Sequence, residues 1–509
     1  MSLAITSALG EPCVLLKLGE VVLKGRNREL FERRLQGNIK TALREFDFKV
    51  DVRQRHGVMV IYLPEGTTVE TADAVARRVT DVMGLVWVHR AWRVAKDPDA
   101  VVKAAVELLD GREDVARGAS FAVRSRRRDK RFPLRSNELD RLVGSAIADT
   151  YGLPVNLSKP DLTVYIEVDR DEVFVFTEGL PGQGGLPVGM SGRALVLMSG
   201  GIDSPVAAHR MMRRGLRVDF LHFSGIPFTG SESIYKAYAL VRRLDRFQGG
   251  SRLWVVPFGK AQQSLKASGA DRLQVVAQRR LMLKTAEEVA HRIRAAALIT
   301  GDSLGQVSSQ TLQNITALDD AVDLPILRPL IGMNKEDIIR EAEQIGTGPL
   351  SAVVDEYCAM VPTRPATVSR LEAVRSEEEK LDPALLERAV AERAVLDLRA
   401  LPPEAEAIPE LEIDEIPDDA TVIDLRSKAA YAGWHWPGAL RLDLDHALVA
   451  YRSFPRDRRY VLYCEFGLKS AHLAERMREA GFSAWNFRGG LKGLVAYARA
   501  RGAAGPELP

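Results

Sequence analysis

The residues with the clearest chemistry stand in Ser199-Gly200-Gly201-Ile202-Asp203-Ser204, between the apolar run Leu195–Met198 and a helical run opened by Pro205. Four consecutive apolar residues before a turn are the pattern of a strand buried on both faces. The paired glycines let backbone N–H groups come close to a ligand, and the start of the helix adds partial positive charge. Together these features form a cradle for phosphate. No Gly-Lys-Ser/Thr follows, so the loop is not a Walker loop. Cysteines complete the chemistry-bearing set. Cys464 follows the apolar run Tyr460–Tyr463 and precedes a helical run that ends near Ala480. That setting lowers a thiol's pKa and cradles an anionic sulfur. Cys358, in Glu356-Tyr357-Cys358-Ala359-Met360-Val361-Pro362, reads by itself as a small buried hydrophobe. Cys13 reads as structural.

The elements that must position the glycine loop alternate between strand and helix. Strands are expected at Ala194–Met198, Arg217–Phe223, Leu253–Pro257, Ala296–Thr300 and near Leu324–Leu327, with helices at Pro205–Arg214, Ser233–Gln248, Asp271–Arg294 and Lys335–Ile345. This pattern argues for a parallel sheet covered by helices, with ligands bound beyond the C-terminal strand ends. His222 and Phe223 end the second strand and can hold an adenine, although His222 can equally be a histidine at the edge of the core. Arg279 can reach a phosphate or be a surface charge. The stretch Thr300–Thr311, TGDSLGQVSSQT, has the Gly, Ser and Gln content of a close, hydrogen-bonding loop. Lys335 opens a helix and can neutralise developing phosphate charge, while Asn334 can cap that helix.

Upstream, Val14–Leu18 and Val58–Leu63 read as strands around an amphipathic run from Arg28 to about Phe46. A small α+β module fits residues 1–74. A second fits 75–180, with helical stretches at Asp73–Met83 and Ala100–Leu109 flanking Val86–Val94 and strands at Ser120–Val123, Leu162–Val168 and Val173–Phe176. Between those strands, Arg124–Arg135 carries seven basic residues in twelve: Arg124, Arg126, Arg127, Arg128, Lys130, Arg131 and Arg135. Arginine forks match phosphate oxygens, and Phe132 offers a stacking face. The bland alternative is a solvated charged face. Gly179–Arg193, rich in Gly and Pro, is a connector.

Toward the C-terminus, Ala400–Asp419 is rich in Pro, Glu and Asp and reads as a semi-extended acidic tether. A further domain starts at about 415. It contains the strand Val422–Arg426, the turn His435-Trp436-Pro437-Gly438-Ala439, the Cys464 loop and Arg488-Gly489-Gly490.

At 509 residues the chain is long enough for three or four domains. Its net charge of +3 excludes an argument from overall charge, so any nucleic-acid reading rests on local clusters. Three cysteines exclude a disulfide scaffold and fit a reducing cytosol. With no apolar run of membrane-spanning length and no signal-peptide pattern, a soluble cytoplasmic protein is expected, with no membrane partner.

These motifs carry resemblances. SGGIDSP resembles the loop of the pyrophosphate-loop ATPases, which cleave ATP to AMP and pyrophosphate. GEVVLKGRNRELF, Gly19–Phe31, resembles a ferredoxin-like domain that precedes a THUMP domain, an RNA-binding module. IDLR, HWPGA, the Cys464 loop and RGG resemble a rhodanese domain. That loop departs from the common form, with Glu465 and Phe466 where a basic residue often sits and Lys469 as the nearby cation. The departure argues for sulfur delivered by a protein rather than by free thiosulfate. SGGIDSP, LHF, QRRLM, TGDSLGQVSSQT and RPLIGMNKEDII occur in an order similar to the tRNA 4-thiouridine synthases.

The resemblance implies a multidomain α/β and α+β fold. It comprises a ferredoxin-like domain (1–74), a THUMP domain (75–180), a parallel-sheet pyrophosphate-loop ATP-binding domain (181–395), an acidic linker (396–414) and a rhodanese-like domain (415–509). It implies ATP as cofactor with Mg²⁺, the loop residues Ser199, Gly200, Gly201, Asp203 and Ser204 as phosphate cradle, and ATP contacts at Leu197, Met198, His222, Phe223, Arg279, Gly301 and Gln310. Functional roles fall on Asp203 and Lys335. The reaction implied is adenylation of uridine 8 of tRNA, then sulfur transfer from a Cys464 persulfide supplied by a cysteine desulfurase. Cys358 would close a disulfide with Cys464. Sulfur transfer toward the thiazole of thiamine through a carrier protein, and a homodimer, are further implications. The residues leave open another pyrophosphate-loop RNA- or nucleotide-modifying ligase, which would need no Cys358, and a non-catalytic RNA-binding sulfur carrier.

Overall fold

The computed structural model describes residues 10–502 except 56, 226–231, 352–365, 383, 397, 399–410 and 465–466. Cys358, Glu465, Phe466 and most of the acidic tether therefore lie outside the described residues. The chain forms two compact bodies, the first built from Met1–Ser191 with Met212–Arg217 and Arg246–Gly249, the second from the remainder. Among the described residues no helix is long and apolar enough to cross a membrane.

The first body is organised by one sheet. Its strands are β1 (Glu11–Leu18), β2 (Asp51–Arg55), β3 (Val58–Tyr62), β4 (Leu85–Val94), β5 (Phe121–Arg127), β6 (Leu162–Val168), β7 (Val173–Phe176) and β8 (Leu180–Pro181). The order is β2-β3-β1-β4-β7-β6-β5, with β8 on β4. The two modules expected over 1–74 and 75–180 thus do not build separate sheets. β4 pairs antiparallel with β1 on one side and with β7 on the other.

The alternation of β1 explains the layering. Val14, Leu16 and Leu18 join Leu35, Ile39 and Leu43 of the helix Arg28–Ala42 and its exit turn in one core. Cys13 and Leu15 face the opposite side with Phe174 and Phe176. β5 follows the same rule. Phe121 and Val123 enter the core with the helix Ser136–Tyr151, and Arg124 and Arg126 are left exposed. β5 runs four residues beyond the expected Val123, so the basic run begins on a strand and not in a loop.

The nucleotide-type domain of the second body has β9 (Arg193–Leu197), β10 (Arg217–Ser224), β11 (Leu253–Pro257), β12 (Leu298–Ile299), β13 (Ile326–Leu327) and β14 (Ala394–Leu396), in the order β13-β12-β9-β10-β11-β14. β13, β12 and β9 pair in parallel, as do β10 and β11. β14 lies antiparallel on β11, a departure from the all-parallel expectation. A strand added antiparallel at the edge needs no crossover connection, and otherwise parallel sheets commonly carry one there. The chain moves from β9 to β10 and β11 on one side, then returns to place β12 on the other side of β9. This reversal opens a crevice at the C-terminal ends of β9 and β12.

The long helix Gln274–Arg292 is anchored by a buried cation. Arg280 donates to Glu378 Oε1 (2.7 Å), Asp320 Oδ2 (3.0 Å) and the Ala317 carbonyl. Removing one member of a buried charge set leaves the others desolvated and unpaired. Arg280→Met is expected to destabilise this domain by about 3 kcal/mol in denaturant unfolding. A loss under about 1 kcal/mol would show that Lys284 and Arg375, which also pair with Glu378 and Asp320, suffice alone.

The last domain has β15 (Glu412–Ile413), β16 (Ala420–Asp424), β17 (Leu440–Arg441), β18 (Arg459–Tyr463) and β19 (Ser483–Phe487), all parallel, in the order β15-β19-β18-β16-β17. Cys464 leaves the central strand β18.

Candidate functional site

The loop after β9 is held by its own hydroxyls. Ser199 N–H donates to Ser204 Oγ (3.1 Å), and Gly201 N–H donates to Ser199 Oγ (3.2 Å). Ser204 Oγ also lies 3.3 Å from Met198 Sδ. Asp203 and Ser204 open the helix Asp203–Arg213, which follows the loop at the C-terminal end of β9. The loop after β12 closes against it at Gly301. A Cβ there would stand 2.8 Å from Ser204 N and 2.9 Å from the Asp203 carbonyl carbon, so glycine is needed for the approach.

Lys335 Nζ donates to Asp203 Oδ1 at 2.6 Å, across 132 residues of sequence, and Gln306 Nε2 donates to Asp203 Oδ2 at 3.0 Å. Asn334 occupies the N-cap position of the helix Lys335–Gln344 but makes no side-chain cap bond. The Lys335–Asp203 pair therefore rests on where three loops meet at the crevice, those after β9, β12 and β13.

Asp302 forms a second centre. Its buried carboxylate accepts from Arg279 Nη2 (2.5 Å), Thr300 Oγ1 (2.8 Å), Arg328 Nε (3.2 Å) and Gln310 Nε2 (3.3 Å). Burial pushes this carboxyl upward, but the charges of Arg279 and Arg328 with these hydrogen bonds outweigh it and hold it below the usual carboxylate range. Arg279 and Gln310 thereby sit side by side, and Gln310 Oε1 is buried with no partner among the described residues, an acceptor suited to an amino donor such as that of adenine. His222 Nδ1–H donates to the Met198 carbonyl (3.0 Å) and Nε2 accepts from Ser233 Oγ (3.1 Å), which ties β10 to the loop after β9. Phe223 packs edge-on to Phe258 with ring centroids 5.0 Å apart. Leu197 ends β9 partly exposed, and Met198 is buried.

Sequence reading missed Asp302, Gln306 and Arg328. The first two lie inside TGDSLGQVSSQT, and Arg328 follows β13 at the same sheet edge, so the strand-end rule was the available signal. Among the described residues no group of three or more His, Cys, Asp or Glu could hold a metal ion. Glycine approach, helix start, Lys335 and the unpartnered Gln310 oxygen fit a nucleotide whose phosphates bring their own metal.

On the first body, the basic run divides by role. Arg127 donates to the Phe132 (3.2 Å) and Leu134 (2.6 Å) carbonyls and so pins its own loop. Arg128 pairs with Glu167 at 2.8 Å, and Lys17 shares that carboxylate. Phe132, expected as a stacking face, is instead buried among Leu139 and Val143. The pinned loop turns it inward, where burial of the ring outweighs display of it. Arg124, Arg126, Lys130, Arg131 and Arg135 remain exposed. A cavity of about 970 Å³ on this body is lined by Lys17, Arg28, Arg55, Arg126, Arg128 and Arg170. This concentration of guanidinium and ammonium groups suits a phosphodiester backbone.

In the last domain, Cys464 is 2% exposed at the end of β18. Ser470 Oγ stands 3.4 Å from its Sγ, a neighbour that sequence reading did not find. Lys469 is buried alongside. Arg426 folds back on Asp424 (2.6 Å), whose carboxylate also accepts from Tyr463 Oη at 2.6 Å, bracing β16 against β18.

The geometry agrees with four matches to protein-family models. Residues 13–88 match the ThiI ferredoxin-like domain, 95–178 the THUMP domain, 189–382 the family described as Thiamine biosynthesis protein (ThiI), and 410–497 the Rhodanese-like domain. A probable tRNA sulfurtransferase of Nocardia farcinica is 47% identical over 390 residues, covering 75% of this chain and 93% of that protein. Its counterpart in Caldanaerobacter subterraneus is 41% identical over 372 residues, covering 72% and 95%. A solved 4-thiouridine synthetase–RNA complex with bound ATP matches with a TM-score of 0.69 at 30% identity, over 76% of this chain and 99% of that one. With a phosphate-cradling loop, a basic cavity and a strand-end cysteine already placed by the fold, these matches lead to one conclusion: the chain belongs to the tRNA sulfurtransferase family.

Proposed function

We propose that this enzyme transfers sulfur to uridine 8 of tRNA in an ATP-dependent reaction that yields 4-thiouridine. The observation that carries this reading is the presence, in one chain of this family, of a glycine loop meeting the Lys335–Asp203 pair and of Cys464 at a rhodanese-like strand end. The exposed arginines and the basic cavity of the first body hold the tRNA backbone. Leu197, Met198, His222, Phe223, Arg279, Gly301 and Gln310 surround the nucleotide, and Ser199–Ser204 cradle its phosphates. The phosphates themselves would hold Mg²⁺, which would neutralise their charge, and Asp203 is the carboxylate of the loop that would face it.

The uracil O4 attacks the α-phosphorus, and pyrophosphate leaves. Lys335 balances the charge that develops there. A cysteine desulfurase loads Cys464 as a persulfide. Its outer sulfur attacks C4 directly, or first leaves as sulfide when the Cys358 thiolate attacks Cys464 Sγ and closes the disulfide, and AMP departs. In the direct route the Cys358 thiolate then attacks Cys464 Sγ, frees the thiocarbonyl and leaves a Cys358–Cys464 disulfide, which a dithiol reductant reopens. Two copies of the chain act together, in the cytoplasm. The description of the matched family as a thiamine biosynthesis protein favours a second outlet for the same sulfur, the thiamine thiazole through a carrier protein.

The test uses the full chain with tRNA, ATP–Mg²⁺, cysteine and a desulfurase. The expected result is near-ultraviolet absorbance of 4-thiouridine confined to position 8, with AMP and pyrophosphate formed in step. AMP formation without thiolated tRNA would favour another ligase. A Cys464 persulfide without nucleotide consumption would favour a sulfur carrier.

A further inference from the structure

Ser470 has one hydroxyl proton and two neighbours that accept it. Its Oγ lies 3.4 Å from Cys464 Sγ and 2.7 Å from Asn486 Oδ1, and all three side chains are buried. While Cys464 is a neutral thiol, the hydroxyl donates to the amide oxygen. Once the thiol proton leaves to solvent and the electron pair stays on Sγ, the thiolate needs that donor. Ser470 Oγ and Asn486 Oδ1 would then meet as two acceptors between fully buried side chains, a costly arrangement.

Half a turn of the carboxamide removes the conflict. It brings Nδ2 in place of Oδ1, so the amide donates to Ser470 Oγ while Ser470 donates to sulfur. The two ends of a carboxamide have nearly the same shape, so packing is unchanged. Space for the turn exists beside Gly467, at φ +81°, where a Cβ would stand 3.3 Å from Nδ2 and 3.7 Å from Oδ1.

We propose that Asn486 is a positioning residue for the sulfur chemistry of Cys464, turning its amide with the charge on sulfur and so directing the Ser470 proton to Sγ. The proposal rests on Cys464 as the sulfur-carrying residue. The other charged or titratable groups of this region are Lys469 on the same helix, Glu465 next in sequence, the Asp424–Arg426 pair after β16, and Tyr463. Burial and Asp424 keep the Tyr463 phenol protonated. All of these are unchanged in the variants below.

The experiment follows iodoacetamide alkylation of Cys464 against pH in the full chain, read by peptide mass spectrometry so that Cys13 and Cys358 are separated. Ser470→Ala should raise the midpoint by about one pH unit, the worth of a hydrogen bond to a charged group. Asn486→Ala should raise it by roughly half as much, and should add nothing in the Ser470→Ala background. A wild-type midpoint for Asn486→Ala, or full additivity in the double variant, overturns the proposal. Asn486→Asp keeps the shape and can only accept at neutral pH, so it gives a second reading if the alanine variant does not fold. Its rise should shrink once Ser470 is replaced, and an undiminished rise there overturns the proposal equally. If Cys464→Ser still thiolates tRNA, the carrier role of Cys464 fails, whatever the alkylation midpoints are.

Discussion

Lys335→Ala should slow tRNA-dependent pyrophosphate release by about 10²–10³-fold, the usual consequence of removing one donor aimed at charge that forms in a transition state. The ammonium is fixed by its bond to Asp203 at 2.6 Å and by its place at the start of a helix. It therefore costs little reorganisation at the moment of reaction. Its side chain is 40% exposed, against 22% for that of Asp203, so the ion pair itself contributes no more than about 1 kcal/mol to stability. Rate should fall while the thermal unfolding profile stays in place. That split separates a catalytic ammonium from a structural one. Pyrophosphate release at the wild-type rate in Lys335→Ala would remove Lys335 from the chemistry and leave it as a companion of Asp203.

The second large effect concerns the other end of the reaction. Cys464→Ala should lower 4-thiouridine formation by about 10⁴-fold or more, as expected when the group that forms the covalent intermediate is deleted. The loss should leave tRNA binding and nucleotide cleavage intact, because Cys464 belongs to a different sheet from the glycine loop. Removing one sulfur from a small core position costs only about 1 kcal/mol of packing, so the domain should remain folded. Inorganic sulfide supplied in excess separates the two chemical routes: rescue of the variant marks sulfide as the attacking species, and no rescue marks the persulfide itself. Undiminished thiolation in Cys464→Ala without added sulfide would contradict the carrier role.

Local pattern explains why much of the fold was legible. β6, β7 and β11 coincide with the expected strands because β7 and β11 are short apolar runs and β6 alternates aliphatic with more polar residues. The glycine loop was legible for a similar reason, since its strand, turn and helix are contiguous. β2, by contrast, carries Asp51, Arg53, Gln54 and Arg55, and its strand state comes from pairing with β3. No local pattern marks such an edge strand. Phe132 misled for a related reason. An aromatic among arginines looks displayed, yet Arg127 ties down two carbonyls of that loop and turns the ring into the core.

The sequence by itself determined which chemistry was available: a glycine-lined phosphate cradle, a strand-end thiol and a run of arginines, each set by residue type and near neighbours. Only the tertiary structure decided how those groups are put to use. It brought Lys335 to Asp203 from 132 residues away, gathered Arg279, Gln310 and Arg328 on Asp302, and set Ser470 between Cys464 and Asn486. Such contacts depend on strand order and on where a parallel sheet reverses direction, and that order is set by long-range packing that no short window of sequence contains.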